Sequence, residues 1–170
     1  MEQIVKKAIA SRKKHGGFKN ITFVACGGSL GGFYPAYYLI QKKSKTLQFS
    51  LITSNEFVHA PPAMIGKNSL VLVCSMRGTP ETVKAASVAH NLGAYVIAFY
   101  VDESEMLSHA DEAIRYQSIM FDETKIENTN ACLQLQFCFE FLEQLENCNL
   151  IFDANAAIEI VDDIYRKACK

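Results

Sequence analysis

Ile4, Val5, Ala8 and Ile9 recur at helical spacing, with Lys6, Lys7, Lys13 and Lys14 between and beyond them and Gly16-Gly17 as a stop. The chain is therefore expected to open on a short amphipathic helix. Ile21 to Cys26 is an unbroken apolar run of strand length that ends at Gly27-Gly28. From Phe33 to Ile40 the rhythm is helical, with Pro35 in the first turn, where a missing N–H costs little. Leu47 to Thr53 alternates weakly and reads as a second strand, and Asn55 to Phe57 begins a short helix or turn that Pro61-Pro62 closes. Ser69 to Ser75 is apolar on both faces, as in the centre of a parallel sheet. Helical signals follow: Thr79 as N-cap, Pro80 at the first position, Glu81 at the positive end of the dipole, and Val83, Ala86 and His90 on one face as far as Gly93. Ala94 to Val101 reads as another buried strand, Met106 to Ala110 as a helical turn, and Ala113 to Tyr116 as an edge strand.

Strands alternating with helices call for an α/β domain, a three-layer αβα sandwich with right-handed crossovers. Its five-stranded parallel sheet is expected in the flavodoxin-like order 2-1-3-4-5. A longer helix is expected from Glu123 to Leu145. One stripe on it runs through Ala131, Leu135, Cys138, Leu142 and Leu145, and a second through Leu133, Phe137 and Phe141. Two stripes ask for two partners. One is the sheet; the other is a neighbouring subunit, a last helix over Asp153 to Lys170, or other packing within the chain. No repeat, low-complexity tract or linker interrupts the sequence, so residues 1–170 read as a single domain.

Composition narrows the function classes. Of 170 residues 49% are hydrophobic and 21% charged, a balance too apolar for a disordered chain. A net charge of -1 supplies no field to draw the protein onto nucleic acid or an anionic membrane, so neither is an expected partner. No apolar run is long enough to span a bilayer, and the six cysteines lie scattered, mostly in apolar runs, without CxxC or finger spacing. Reduced thiols in a cytoplasmic protein fit this pattern.

Two loops carry the candidate chemistry. The first is Cys26-Gly27-Gly28-Ser29, followed by Gly31-Gly32, where glycine lets backbone amides approach an anion and Ser29 adds a hydroxyl. The second is Ser75-Met76-Arg77-Gly78-Thr79-Pro80-Glu81, with two hydroxyls, a guanidinium and a row of amides at a helix start. Together they describe a pocket for a small phosphorylated ligand. Neither GxGxxG nor GxxxxGK[ST] occurs, and no cofactor is expected. His59, His90 and His109 have no carboxylate or cysteine at metal or triad spacing, so no metal is expected either. Glu56, just past the second strand, is within reach of a sugar hydroxyl or answers the helix dipole. Cys26 and Cys74 end strands beside the pocket, as packing thiols or as thiols made more reactive by helix N-termini.

The motifs VACGGS, NEF, VLVCSMRGTPETVKAA, Gly93-Ala94 and LSHAD, in this order from Asn20 to Tyr116, resemble the sugar isomerase (SIS) domains that bind phosphorylated sugars. The likeness is strongest to the fructosamine-phosphate deglycase branch, with its glucosamine-fructose-6-phosphate aminotransferase-like members. The resemblance implies that Ser29, Ser75 and Thr79 hold a ligand phosphate, with the amides of Met76 to Gly78 around it. The family loop has a second serine where Arg77 stands, and one residue more before its threonine. Either the shorter loop draws Thr79 away or Arg77 supplies a contact in exchange. The general acid and base of the deglycase kind lie in a second tandem domain, and Lys170 falls about where a linker to it would begin. The chain is thus expected to be a first domain alone or a single-domain relative that pairs as a homodimer. The expected role is to bind a sugar 6-phosphate for ketosamine 6-phosphate deglycation or aldose-ketose isomerisation. The alternatives are a non-catalytic phosphosugar-binding module and, behind it, an FMN-binding protein.

Overall fold

A computed structural model describes residues 1–118 and 125–150; the helix expected over Asp153 to Lys170 lies outside them. Five strands, β1 (Asn20–Ala25), β2 (Gln48–Thr53), β3 (Ser69–Cys74), β4 (Tyr95–Tyr100) and β5 (Glu112–Arg115), pair in parallel in the order β2-β1-β3-β4-β5. The helices are α1 (Glu2–Arg12), α2 (Gly27–Gly32), α3 (Tyr34–Lys43), α4 (Ser54–His59), α5 (Pro80–Asn91) and α6 (Asn130–Glu146).

Every residue of β1 and β3 is buried, as strands covered on both faces must be. Successive side chains point to opposite faces, so each strand feeds two cores. Ile21, Phe23, Leu70, Leu72, Ile97 and Phe99 meet α1, α3 and α6 on one face. Val24, Val71, Val73, Val96 and Ala98 meet Phe57 of α4 and the alanines of α5 on the other. This is the expected three-layer sandwich.

Four local readings change. The glycine turn after β1 is wound into the short helix α2, opened by Gly27 at φ 52°, a left-handed conformation that glycine adopts without steric cost. In α5 the buried face is Thr82, Ala85, Ala86 and Ala89, while His90 is exposed. The small side chains let that face lie flat on the sheet, which the Val83, Ala86, His90 stripe does not. Thr79 occupies the N-cap position but makes no side-chain cap bond. Finally, α6 begins at Asn130, and its two stripes close into one core face, with Phe137, Cys138, Phe141 and Leu142 fully buried. Its second partner is the pair α1 and α3 of the same chain, so the stripes need no other subunit.

Candidate functional site

The connection from β1 to β2 runs over one face of the sheet through α3, and that from β3 to β4 over the other through α5. Adjacent strands whose connections leave in opposite directions open a crevice at their carboxyl ends. Both candidate loops end there. One cavity of about 210 Å³ is lined by Cys26 and Ser29 from the first loop and by Cys74, Ser75, Met76, Arg77 and Thr79 from the second. A neighbouring cavity of about 340 Å³ shares Cys26, Ser29 and Met76 and adds Gly28, Tyr116, Gln117, Ser118 and Asn130. The two loops therefore converge on common space.

The second loop is held in shape by its own backbone. Ser75 N–H donates to the Phe99 carbonyl at 3.1 Å, and the Met76 carbonyl accepts from Val101 N–H at 3.1 Å and Asp102 N–H at 2.9 Å. Gly78 sits at φ 69°, and a Cβ there would lie 2.3 Å from Ser104 Oγ, so only glycine fits. Ser75, 3% exposed, accepts from Thr79 N–H at 2.9 Å, which fastens the start of α5 and leaves the serine hydroxyl proton to be donated. Thr79 Oγ1 donates to Thr82 Oγ1 at 2.9 Å. The shortened loop thus keeps Thr79 on the cavity wall.

Arg77 lines the cavity and pairs with Asp102, Nε to Oδ2 3.2 Å, with 77% of its side chain exposed. Such a pair contributes no more than about 1 kcal/mol, so little holds the guanidinium away from an anion. Among the described residues Arg77 is the sole formally charged side chain lining either of these cavities. The described lining therefore offers an anion donors and one cation, with no carboxylate among them to repel it.

Glu56 stands apart. It is exposed on α4, lines neither cavity, and its N–H donates to Thr53 Oγ1 at 3.3 Å in a helix-start arrangement. Gly78 shapes the loop from behind and lines a separate groove with Pro80, Lys84, Glu105 and His109. His59 and His90 are exposed, and among the described residues no group of three or more acids, histidines and cysteines is placed to hold a metal.

Below the cavities lies a polar cluster that the motifs do not reveal. Burial pushes the Cys74 thiol up to about 11, although Ser29, Tyr116, Asn130 and Gln134 beside it pull the other way. The Tyr116 phenol is likewise raised, first by burial and then by Cys74. Both groups are neutral near pH 7, so Cys74 is a packing thiol and not an activated one. Gln134 is fully buried; its contact with the Cys74 thiol falls short of hydrogen-bond geometry, so among the described residues neither its amide oxygen nor its nitrogen has a full partner. The sequence gives little signal for it, since Gln136 stands two residues on in the same apolar run and only the fold decides which of the two amides is buried. Tyr116 is visible only as the end of the edge strand, and Asn130 falls within the helix expected from Glu123, so neither carries a signal of the cluster.

No protein-family model matches the chain. A curated relative, fructosamine deglycase FrlB of Bacillus subtilis (strain 168), is 37% identical over 153 residues, which make up 89% of this chain and 46% of that protein. A solved structure from Salmonella typhimurium LT2, assigned as a phosphosugar isomerase, superposes with a TM-score of 0.85 at 32% identity, covering 96% of this chain and 48% of the other. A second so assigned, from Bacillus subtilis, gives 0.83 at 33% identity over 99% of this chain and 53% of its own. The chain thus spans about half the length of the relatives it matches. With the five-stranded parallel sheet, the paired loops at its switch point and this level of identity together, the chain belongs to the sugar isomerase (SIS) domain family.

Proposed function

We propose that this chain anchors the phosphate of a ketosamine 6-phosphate in an enzyme that deglycates or isomerises it. The observation that carries this reading is the single cavity bounded by Ser29 on one loop and Ser75, Met76, Arg77 and Thr79 on the other. A phosphate dianion accepts hydrogen bonds and donates none when fully ionised. Here it meets serine hydroxyls, amides of the Met76 to Gly78 turn and the positive end of the 12-residue α5. The adjoining space beside Tyr116, Gln117 and Asn130 takes the polyol and its amino substituent. FrlB, by its name, acts on fructosamines, which supports an amino sugar over a simple hexose.

Moving a proton between neighbouring sugar carbons needs a positioned acid and base as well as an anchor. No acid, histidine or lysine is among the described residues lining these two cavities, and we place that pair outside them. A second domain or a second copy of the chain supplies it, and we propose a homodimer on this ground.

Calorimetric titration with glucosamine 6-phosphate, fructose 6-phosphate and FMN tests the anchor. The sugar phosphates bind and FMN does not. Ser75→Ala and Ser29→Ala each weaken binding roughly 10- to 100-fold, the worth of a hydrogen bond to a charged group. Sugar-phosphate affinity untouched by both substitutions would refute the assignment. Binding without turnover, even in the full-length assembly, would mark a sensing module instead.

A further inference from the structure

Behind Thr79 the cradle continues into the protein. Thr79 Oγ1 donates to Thr82 Oγ1 at 2.9 Å, and Thr82 Oγ1 meets Ser54 Oγ at 2.8 Å. Thr82 lies in the first turn of α5 and Ser54 opens α4, and neither has any exposed surface. Three hydroxyls therefore run in file from the cavity wall to a dead end between two helices packed on the same face of the sheet. Shape alone does not ask for them, since valine matches threonine in outline, and a buried hydroxyl is tolerated only while it is bonded.

Each hydroxyl has one proton to give and lone pairs to receive. A fully ionised phosphate can only accept. For Thr79 to serve it, the Thr79 proton must rotate away from Thr82 and toward the anion. Thr79 Oγ1 is then left without the partner it has in the protein unless Thr82 turns its own proton onto it, and Ser54 likewise onto Thr82. The file can make this reversal as a unit, by three hydroxyl rotations with no proton transferred, and every oxygen in it stays bonded. A chain of bonds all pointing one way also polarises its last member, which strengthens the bond delivered to the anion.

We propose that Thr82 and Ser54 are positioning residues for phosphate binding, acting through Thr79 by this concerted reversal. The inference rests on the reading of the cradle as a phosphate site. It also ties α4, which follows β2, to the loop that follows β3, so the strands on both sides of β1 contribute to one hydrogen bond.

A double-substitution cycle read by calorimetry, with glucosamine 6-phosphate as probe, tests it. Thr82→Val weakens binding about three- to tenfold, Thr82→Ser restores it, and Ser54→Ala shows a smaller loss in the same direction. The decisive comparison is in the Thr79→Val background, where Thr82→Val changes affinity no further because the hydroxyl it acts through is gone. Thermal melts confirm that each variant is folded, and Thr82→Ser carries the test should Thr82→Val fail to fold: it must bind as wild type while Thr79→Val does not. If Thr79→Val weakens binding and Thr82→Val does not, or if the two losses simply add, the relay is refuted while the anchor stands. Wild-type protein that binds no sugar phosphate would remove the anchor and the relay together.

Discussion

Gly78 shows how a single residue sets the shape of the cradle. Its left-handed φ of 69° costs a residue with a side chain about 1–2 kcal/mol, and its missing Cβ is the space that Ser104 occupies. Gly78→Ala is therefore expected to destabilise the domain by about 2 kcal/mol or more and to displace the amides on either side of it. Urea unfolding measures the first effect and phosphosugar titration the second; an alanine variant with wild-type stability would mean that the loop is not held as described. The loop's glycine and hydroxyls were legible in the sequence because turn chemistry is local. Ser75 as the acceptor for Thr79 N–H was not, because that bond exists only once β3 ends and α5 begins at this angle. For Glu56 the sequence left a sugar contact and a helix-start role side by side, because its distance along the chain from the second strand says nothing about which way α4 turns it; the bond to Thr53 is of the helix-start kind.

Among the elements, α6 is fastened at its end by Glu146. The carboxylate accepts from Ser44 Oγ at 2.6 Å, from Lys45 N–H at 3.0 Å, and from Thr46 N–H and Oγ1 at 3.2 and 3.0 Å, closing the connection between α3 and β2. Burial alone would raise its pKa, but these bonds outweigh burial and hold it below the ordinary 4.5. A folded-state value below the unfolded one stabilises the protein above the ordinary carboxylate range, and that contribution is lost as pH falls through the lowered value. Glu146→Gln is thus expected to cost about 1 kcal/mol near neutral pH, with the partial exposure of the site counted in, and the gap to wild type should close on acidification below 4.5. Thermal melts of both proteins over that range check the sign; a gap that widens in acid would refute it. Helix α6 itself was legible from its stripes. Its neighbours were not, because periodicity shows how wide an apolar face is and not whether a sheet, a helix of the same chain or another subunit covers it.

At the scale of the molecule, both faces of the sheet are covered, and α6 has its partners within the chain. The proposed homodimer therefore rests on the cavity lining, where the described residues include no acid or base, and not on a spare helix face. Light scattering is expected to return about twice the 19.0 kDa of one chain, and a particle of monomer mass would refute it. By itself the sequence determined the alternation of strands and helices, the parallel sheet and the two glycine-hydroxyl loops, since periodicity and turn chemistry act over a few residues. Only the tertiary structure decided that those loops share a cavity and that Arg77 rests on Asp102. It alone placed Tyr116, Asn130 and Gln134 around Cys74 and aligned Thr79, Thr82 and Ser54. These are contacts between residues far apart in the chain or on different elements, and they come into being when β1, β3, α5 and α6 pack.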